Sequence, residues 1–431
     1  MRLDLGGLWT HRDFRRLWAG QTISVFGSLT TRLALPLTAI IYLHARAYEV
    51  ALLASFDVVA GLLFGVAAGV WADRLPRRPL MIGADAGRAL VLGSVPAAAA
   101  FGVLGMPQLY LVRFVAGALT VVFDVSYQAY LPTLVSEDEL VEGNSKLAAT
   151  AAVAEFGSFG ASGWLVQLLT APGAIAVDAV SFVVSAGSIL AIGAQEPPPK
   201  PAHERDPFRA EVAAGLRAVR DDPVLRALAA GMVAWSLVAG VVGATILLYA
   251  NRELGFSPGA LGLIFAVGGV TAFFGAWSAG WWARRLGPGG AMVLGMAFGG
   301  IGLALTAAAP GATAAGALLL ISTQVIADPF WTVFEINQVS LRQQVASPAV
   351  LGRINGAFQT ASMLAVLAGS LAGAGLAQFA DARAGIIAGA GVALCGAVYL
   401  LLSPARGVPT AGAPALGPLP AALAEADEAL L

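Results

Sequence analysis

Four ionisable side chains, Arg32, Asp57, Arg113 and Glu155, stand inside stretches of sequence that are otherwise apolar. A charged group at the centre of a bilayer costs about 3 kcal/mol on an insertion scale, so each needs a partner or a task. A carboxylate withdrawn from water holds a proton more readily, which gives Asp57 and Glu155 the chemistry of proton carriers. Arg32 and Asp57 lie on adjoining stretches, roughly 16 and 12 Å from the loop between them at about 1.5 Å per residue, and are expected to meet. Such a pair can be structural or can take part in coupling. Glu155 carries protons or hydrogen-bonds to a neighbouring helix. Arg113, about two turns inside its stretch, can snorkel to the interface. Asp178 reads as structural, and Asp85, Arg88 and Asp124 read as helix-end groups that join a nearby loop network. The second part of the chain offers Asp328 and Glu335 as acidic candidates, and Trp235, Phe330, Trp331 and Phe334 as lining for an apolar cavity.

Other chemistries lack their residues. The single cysteine, Cys395, excludes an intramolecular disulfide and any cysteine-based metal or cluster site. His11, His44 and His203 all fall in hydrophilic segments, so no histidine site is expected inside the membrane. The two lysines, Lys146 and Lys200, follow Ser and Pro, which rules out a phosphate-binding loop ending in Gly-Lys. With net charge −1 and no dense basic tract, no nucleic-acid partner is expected. Neither cofactor nor enzymatic nucleophile is indicated, so the expected partners are a small-molecule substrate, protons and lipid.

The elements that position these groups are long apolar stretches. The 431 residues are 58% hydrophobic and 12% charged, with mean hydropathy +0.78, whereas soluble domains carry about 25% charged residues. A run of about 20 apolar residues crosses a bilayer, and twelve such stretches can be counted. The expectation is an all-α membrane protein with six spans in 1–195 and six in 224–403. Between them runs a linker, 196–223, whose Phe208, Val212, Leu216 and Val219 have helical spacing, and 404–431 is expected to be a disordered tail. Most of the 25 Lys and Arg residues fall on the side of the N-terminus, so both termini are expected in the cytoplasm.

A duplication is suggested by Ala72-Asp73-Arg74-Leu75 and Ala283-Arg284-Arg285-Leu286, which occupy matching loops. The first belongs to "GVWADRLPRRP" (69–79), a tight turn whose Arg74, Arg77 and Arg78 are attracted to the carbonyls ending the preceding helix. This turn resembles the signature loop of the major facilitator superfamily, Gly-x-x-x-Asp-Arg-x-[Gly/Pro]-Arg-[Arg/Lys]. "FRRLWAGQTISVFGS", "LPTLVSEDELVEGNS", "VDAVSFVVSAGS" and "LRQQVASPAVLGRINGAF" resemble its branch of siderophore exporters and multidrug efflux proteins, and Arg113-x-x-x-Gly117 resembles a second motif.

The resemblance implies the major facilitator fold, twelve transmembrane helices in two six-helix bundles, as a monomer in the plasma membrane. It implies a conformational gate at Gly69, Asp73, Arg74, Arg77, Arg78 and Asp124, with Arg77 and Asp124 as charge partners of Asp73. Arg113 would share in proton coupling with Arg32, Asp57 and Glu155. The expected function is proton-coupled export of small amphipathic molecules. Import, lipid translocation and a non-transporting receptor remain as alternatives, since 157–163 lacks the Gly-Pro pair of antiporters.

Overall fold

The computed structural model describes residues 7–135, 139–194, 196, 216–346 and 348–408. The described residues contain no strand. The helices are α1 (Arg12–Leu37), α2 (Ala47–Arg74), α3 (Arg77–Ala100), α4 (Met106–Tyr130), α5 (Leu140–Leu169) and α6 (Ala171–Leu190). After the short α7 (216–221) come α8 (Pro223–Leu248), α9 (Pro258–Ala307), α10 (Ala314–Val345), α11 (Pro348–Phe379) and α12 (Ala382–Leu402). Ten helices among the described residues are long and apolar enough to cross a membrane. The ten do not include α5 and count α9 once, although Gly287 at φ 72° interrupts its 50 residues just before Pro288. A positive φ suits glycine, and proline lacks the N–H a continuing helix needs. Most of the linker, including Phe208 and Val212, lies outside the described residues, as does everything after residue 408. After Ser403 the chain forms a 3-10 turn at Pro404–Gly407, with Ala405 fully buried.

Local sequence sets where helices start. Asp222 accepts hydrogen bonds from the N–H groups of Val224 and Leu225 at 2.7 and 2.9 Å, ahead of Pro223. Thr313 and Asp381 cap α10 and α12 in the same manner. Each cap satisfies N–H groups that the first turn leaves unpaired.

The backbone carries the duplication visibly. After α1 comes a π-helical turn, Thr38–Tyr42, and after α8 another, Tyr249–Glu253. Leu43 N–H donates to Thr38 and Ala45 N–H to Ala39; likewise Leu254 N–H donates to Tyr249 and Phe256 N–H to Ala250. His44 and Gly255, both at positive φ, hold matching places in the two turns. The offset that carries Thr38 onto Tyr249 also carries Arg12 onto Pro223, Ala47 onto Pro258 and Arg77 onto Pro288, which open matching helices.

α1 through α6 pack on one another, as do α8 through α12; α5 packs against α9 and α2 against α11 between the two sets. At the end opposite the charged turn, buried residues of both sets form one continuous core, from Leu33, Ile40 and Ile175 to Leu248, Leu261 and Ile386. At the turn-bearing end the cores are separate: one around Phe14, Met81, Phe123 and Tyr130, the other around Met292, Phe334, Phe358 and Leu400. On α2, Gly61 lies 2.7 Å from Met363 of α11 for a notional Cβ, whereas Gly65, one turn nearer the charged turn, has open space beside it. The molecule is joined at one end and parted at the other.

Candidate functional site

The charged turn is fastened within its own half. Leu75 N–H closes α2 on Trp71 at 2.8 Å, and Pro76 opens α3. The first N–H groups of α3, on Arg77 and Arg78, donate to the Glu196 carboxylate at 2.8 to 3.2 Å. A carboxylate is favoured there because a helix N-terminus carries partial positive charge. The Arg77 guanidinium also pairs with Glu196 at 3.7 Å. Arg78 donates to the carbonyls of Ile189 and Leu190, at 3.2 and 2.8 Å, where α6 ends. Asp13 of α1 accepts from the N–H groups of Gly193 and Ala194. Arg74 is exposed. The side chains of Gly69 and Asp73 lie outside the described residues, although their backbone completes α2.

Glu196 was read from the sequence as the first residue of a linker. Its one signal was position, as the first acid after the apolar stretch of α6. The partner expected for both Arg77 and Asp124 is Asp73, whose side chain lies outside the described residues; Arg77 pairs with Glu196, and Asp124 is within electrostatic reach of Arg88.

Asp85 and Arg88 stand apart from the turn, contrary to the expectation. Asp85 lies eight residues into α3, about 12 Å from its start, so its pair with Arg88 sits well inside the helix. Asp85 and Arg88, fully and almost fully buried, pair one turn apart. The Arg88 guanidinium lies between the rings of Phe123 and Phe182, 4.5 and 4.1 Å from their centroids, and donates to Thr120 at 3.4 Å. Asp178 is also within its reach and accepts from Ser181 at 3.1 Å. Gly27 brings α1 directly onto Asp178 and Ser181. The cluster ties α1, α3, α4 and α6 together. Breaking such a buried pair costs about 3–5 kcal/mol because it strands a charge, which suits a structural knot.

The second charged pair joins α2 to α4. Arg113 donates to Asp57 at 2.9 Å, with the side chains 26% and 44% exposed. Gly117, one turn along α4 from Arg113, clears the space: a Cβ there would meet Asp57 Oδ1 at 2.7 Å. Arg113 and Gly117 thus form one receptor for a carboxylate from α2. The expected Arg32–Asp57 pairing is overturned, since α2 packs on α4 and Arg113 takes the carboxylate. Arg32 is exposed on α1. Glu155 belongs to α5, but its side chain lies outside the described residues.

The aromatic candidates pack into the second half. Trp235 of α8 meets Trp331 edge-on at 5.0 Å and stacks near Phe334 at 5.2 Å. Phe330 instead stacks on Phe298 of α9 at 4.3 Å. Trp235, Phe330 and Trp331 are half-buried, and Phe334 is buried. A groove of about 520 Å³ lies between α8 and α12, lined by Ala230, Ala234, Ala388, Gly391 and Cys395 among others, and it carries no charge.

Long apolar helices with paired charges between them define an integral, multi-pass membrane protein. The profile of the Major Facilitator Superfamily matches residues 17–364, and the chain belongs to this family of transporters. It is 29% identical over 287 residues to uncharacterized MFS-type transporters of Mycobacterium bovis and Mycobacterium tuberculosis, covering 61% of this chain and 63% of theirs. The match thus spans about three-fifths of the length of these curated relatives. Among solved structures, a bacterial homologue of the iron transporter ferroportin in its inward-facing state superposes with TM-score 0.75 at 20% identity, over 90% of this chain and 98% of that one. In its outward-facing state the same homologue gives 0.58 over the same shares.

Proposed function

We propose that this protein is a secondary active exporter of small amphipathic organic molecules, driven by proton antiport through alternating access. The observation that carries the reading is a core continuous at one end and divided at the other. That is the form expected of one state in a cycle that opens a central path to each side in turn. The greater likeness to an inward-facing neighbour supports the same state here. In this reading α5 and the two parts of α9 complete twelve spans in two six-helix bundles. Both termini and the charged turn face the cytoplasm, and the protein sits in the plasma membrane as a monomer.

The gate roles are carried over from the resemblance to the family, and the others rest on the chemistry of the side chains. Gly69, Asp73, Arg74, Arg77, Arg78 and Asp124 act at the gate that closes the turn-bearing end. Arg32, Asp57, Arg113 and Glu155 serve proton coupling or substrate binding at mid-membrane depth. Trp235, Phe330 and Trp331 contribute apolar lining. With no Gly-Lys phosphate loop in the sequence, an ion gradient is the energy source this reading requires.

The test uses proteoliposomes with an imposed proton gradient and ethidium as an amphipathic probe. In vesicles acidic inside, with the turn-bearing end outward, ethidium is expected to accumulate, and a protonophore should abolish the accumulation. Accumulation that ignores the gradient would remove proton coupling, and accumulation in the reverse geometry would make the protein an importer.

A further inference from the structure

The internal duplication places two differently built carboxylate sites at the same position in the two halves. The offset that carries Thr38 onto Tyr249 carries Asp57 onto Gly268, Arg113 onto Gln324 and Gly117 onto Asp328. Contacts confirm this register independently. In the first half, Asp57 of α2 sits against Gly117 of α4. In the second, Asp328 of α10 sits against Gly268 of α9, with the Asp328 carboxyl carbon 3.2 Å from a notional Cβ there and Gln324 beside it. The acid and the glycine have changed places between the paired helices, and the hole between them holds a carboxylate in both halves.

The difference lies in the neighbour. Arg113 neutralises Asp57 at 2.9 Å; its counterpart Gln324 is uncharged. No charged group among the described residues acts on Asp328. Among the described residues, the elements that pack most closely against α10 are α9 and α8, and their charges, Arg226, Arg284 and Arg285, lie near the turn-bearing end. Around Asp328, α9 presents Gly268 and Thr271, and Thr271 donates to the Gln324 carbonyl at 2.6 Å. On α10 itself, Thr332 donates to the Asp328 carbonyl and Trp331 and Phe330 follow. On α5, the neighbour of α9, Glu155 lies outside the described side chains. Asp328 is half-buried and stands fourteen residues into a 32-residue helix, far from both ends.

We infer that Asp328 is a reversible proton-binding site of the second half, filling from the opposite helix the hole that Asp57 fills in the first half, without the arginine. Charge in a bilayer is costly, and a carboxylate without a cation lowers that cost by taking a proton. The step is one transfer. An Asp328 oxygen accepts a proton from water on one side and returns it to water on the other, and no other bond changes. As a coupling site this rests on the proton-antiport reading; as a proton-binding site it stands alone.

Infrared difference spectroscopy on the reconstituted protein, stepped in pH through neutrality, reads the site directly without a substrate. The carbonyl stretch of a protonated carboxylic acid should appear as pH falls. It should vanish in Asp328→Asn and persist in Asp57→Asn. Gln324→Arg rebuilds the first-half arrangement and should suppress the band. Arg113→Gln should create a second band that Asp57→Asn removes, and this keeps the test decisive if Gln324→Arg fails to fold. An unchanged band in Asp328→Asn, or no new band in Arg113→Gln, overturns the inference. With ethidium in the same vesicles, two failures separate. A correct band with gradient-independent transport leaves the site standing and removes the antiport reading. Gradient-driven transport with no Asp328 band removes the inference alone.

Discussion

The Asp57–Arg113 pair illustrates how much of a site depth alone can specify. Sequence distance put Arg32, Asp57 and Arg113 inside their stretches, and hydropathy was enough to find them. Which two met depended on azimuth, the face each helix turns to its neighbours, and one sequence carries little of that. The legible clue was Arg113-x-x-x-Gly117: two residues one turn apart share a helix face, a cation beside a gap. Arg113→Gln should strand the Asp57 carboxylate and destabilise the protein by about 1–2 kcal/mol, less than a fully buried pair would lose because both side chains are partly exposed. The double change Arg113→Gln, Asp57→Asn should recover most of this in thermal unfolding in detergent. Strictly additive losses would mean that the pair contributes nothing as a pair.

At the scale of elements, composition and periodicity located the apolar stretches, and the charged Ala283-Arg284-Arg285-Leu286 marked the loop next to the break at Gly287. Helix-to-helix fastening was far less visible. Glu196 looked like the start of a linker, yet it accepts three backbone bonds at the head of α3. The reason is physical: its partners are main-chain N–H groups, which every sequence possesses, so no residue type advertises them. Asp85 and Arg88 were misplaced for a related reason, as charges near a charged loop look like part of it until the helix length is counted. Glu196→Gln keeps the shape and removes the charge. A charge at a helix start contributes up to about 1 kcal/mol, so the unfolding midpoint should fall by a few degrees, with faster amide exchange at 77–80. An unaltered midpoint and exchange rate would show that the carboxylate is dispensable.

For the whole molecule, the family and the all-helical membrane architecture were readable from hydropathy and one eleven-residue turn. The state of the molecule was not, because a sequence that serves an alternating cycle must be compatible with both ends of it. Here the small residues of α2 hold the information: Gly61 touches α11, and Gly65 faces open space. Closing the turn-bearing end would bring Gly65 toward Gln359, one turn from Met363 on the same face of α11. After replacing Cys395 by serine, cysteines at 65 and 359 should cross-link slowly in the state described and faster when a proton gradient and ethidium drive turnover. Equal rates under both conditions would argue that these faces never approach.

The turn at Pro404–Gly407 bears on how the protein can be handled. Its Ala405 backbone lies directly on Gly289, and Val408 comes within 3.3 Å of a notional Cβ on Gly287. The segment after α12 thus wedges the break in α9, as the segment after α6 wedges the start of α3. A purification tag or fluorescent reporter joined at Ser403, where the last apolar helix stops, would displace that wedge and loosen the α9 break. The same fusion placed beyond Val408 leaves it seated, so the hydropathy boundary and the safe cloning boundary differ by a short but consequential stretch of chain.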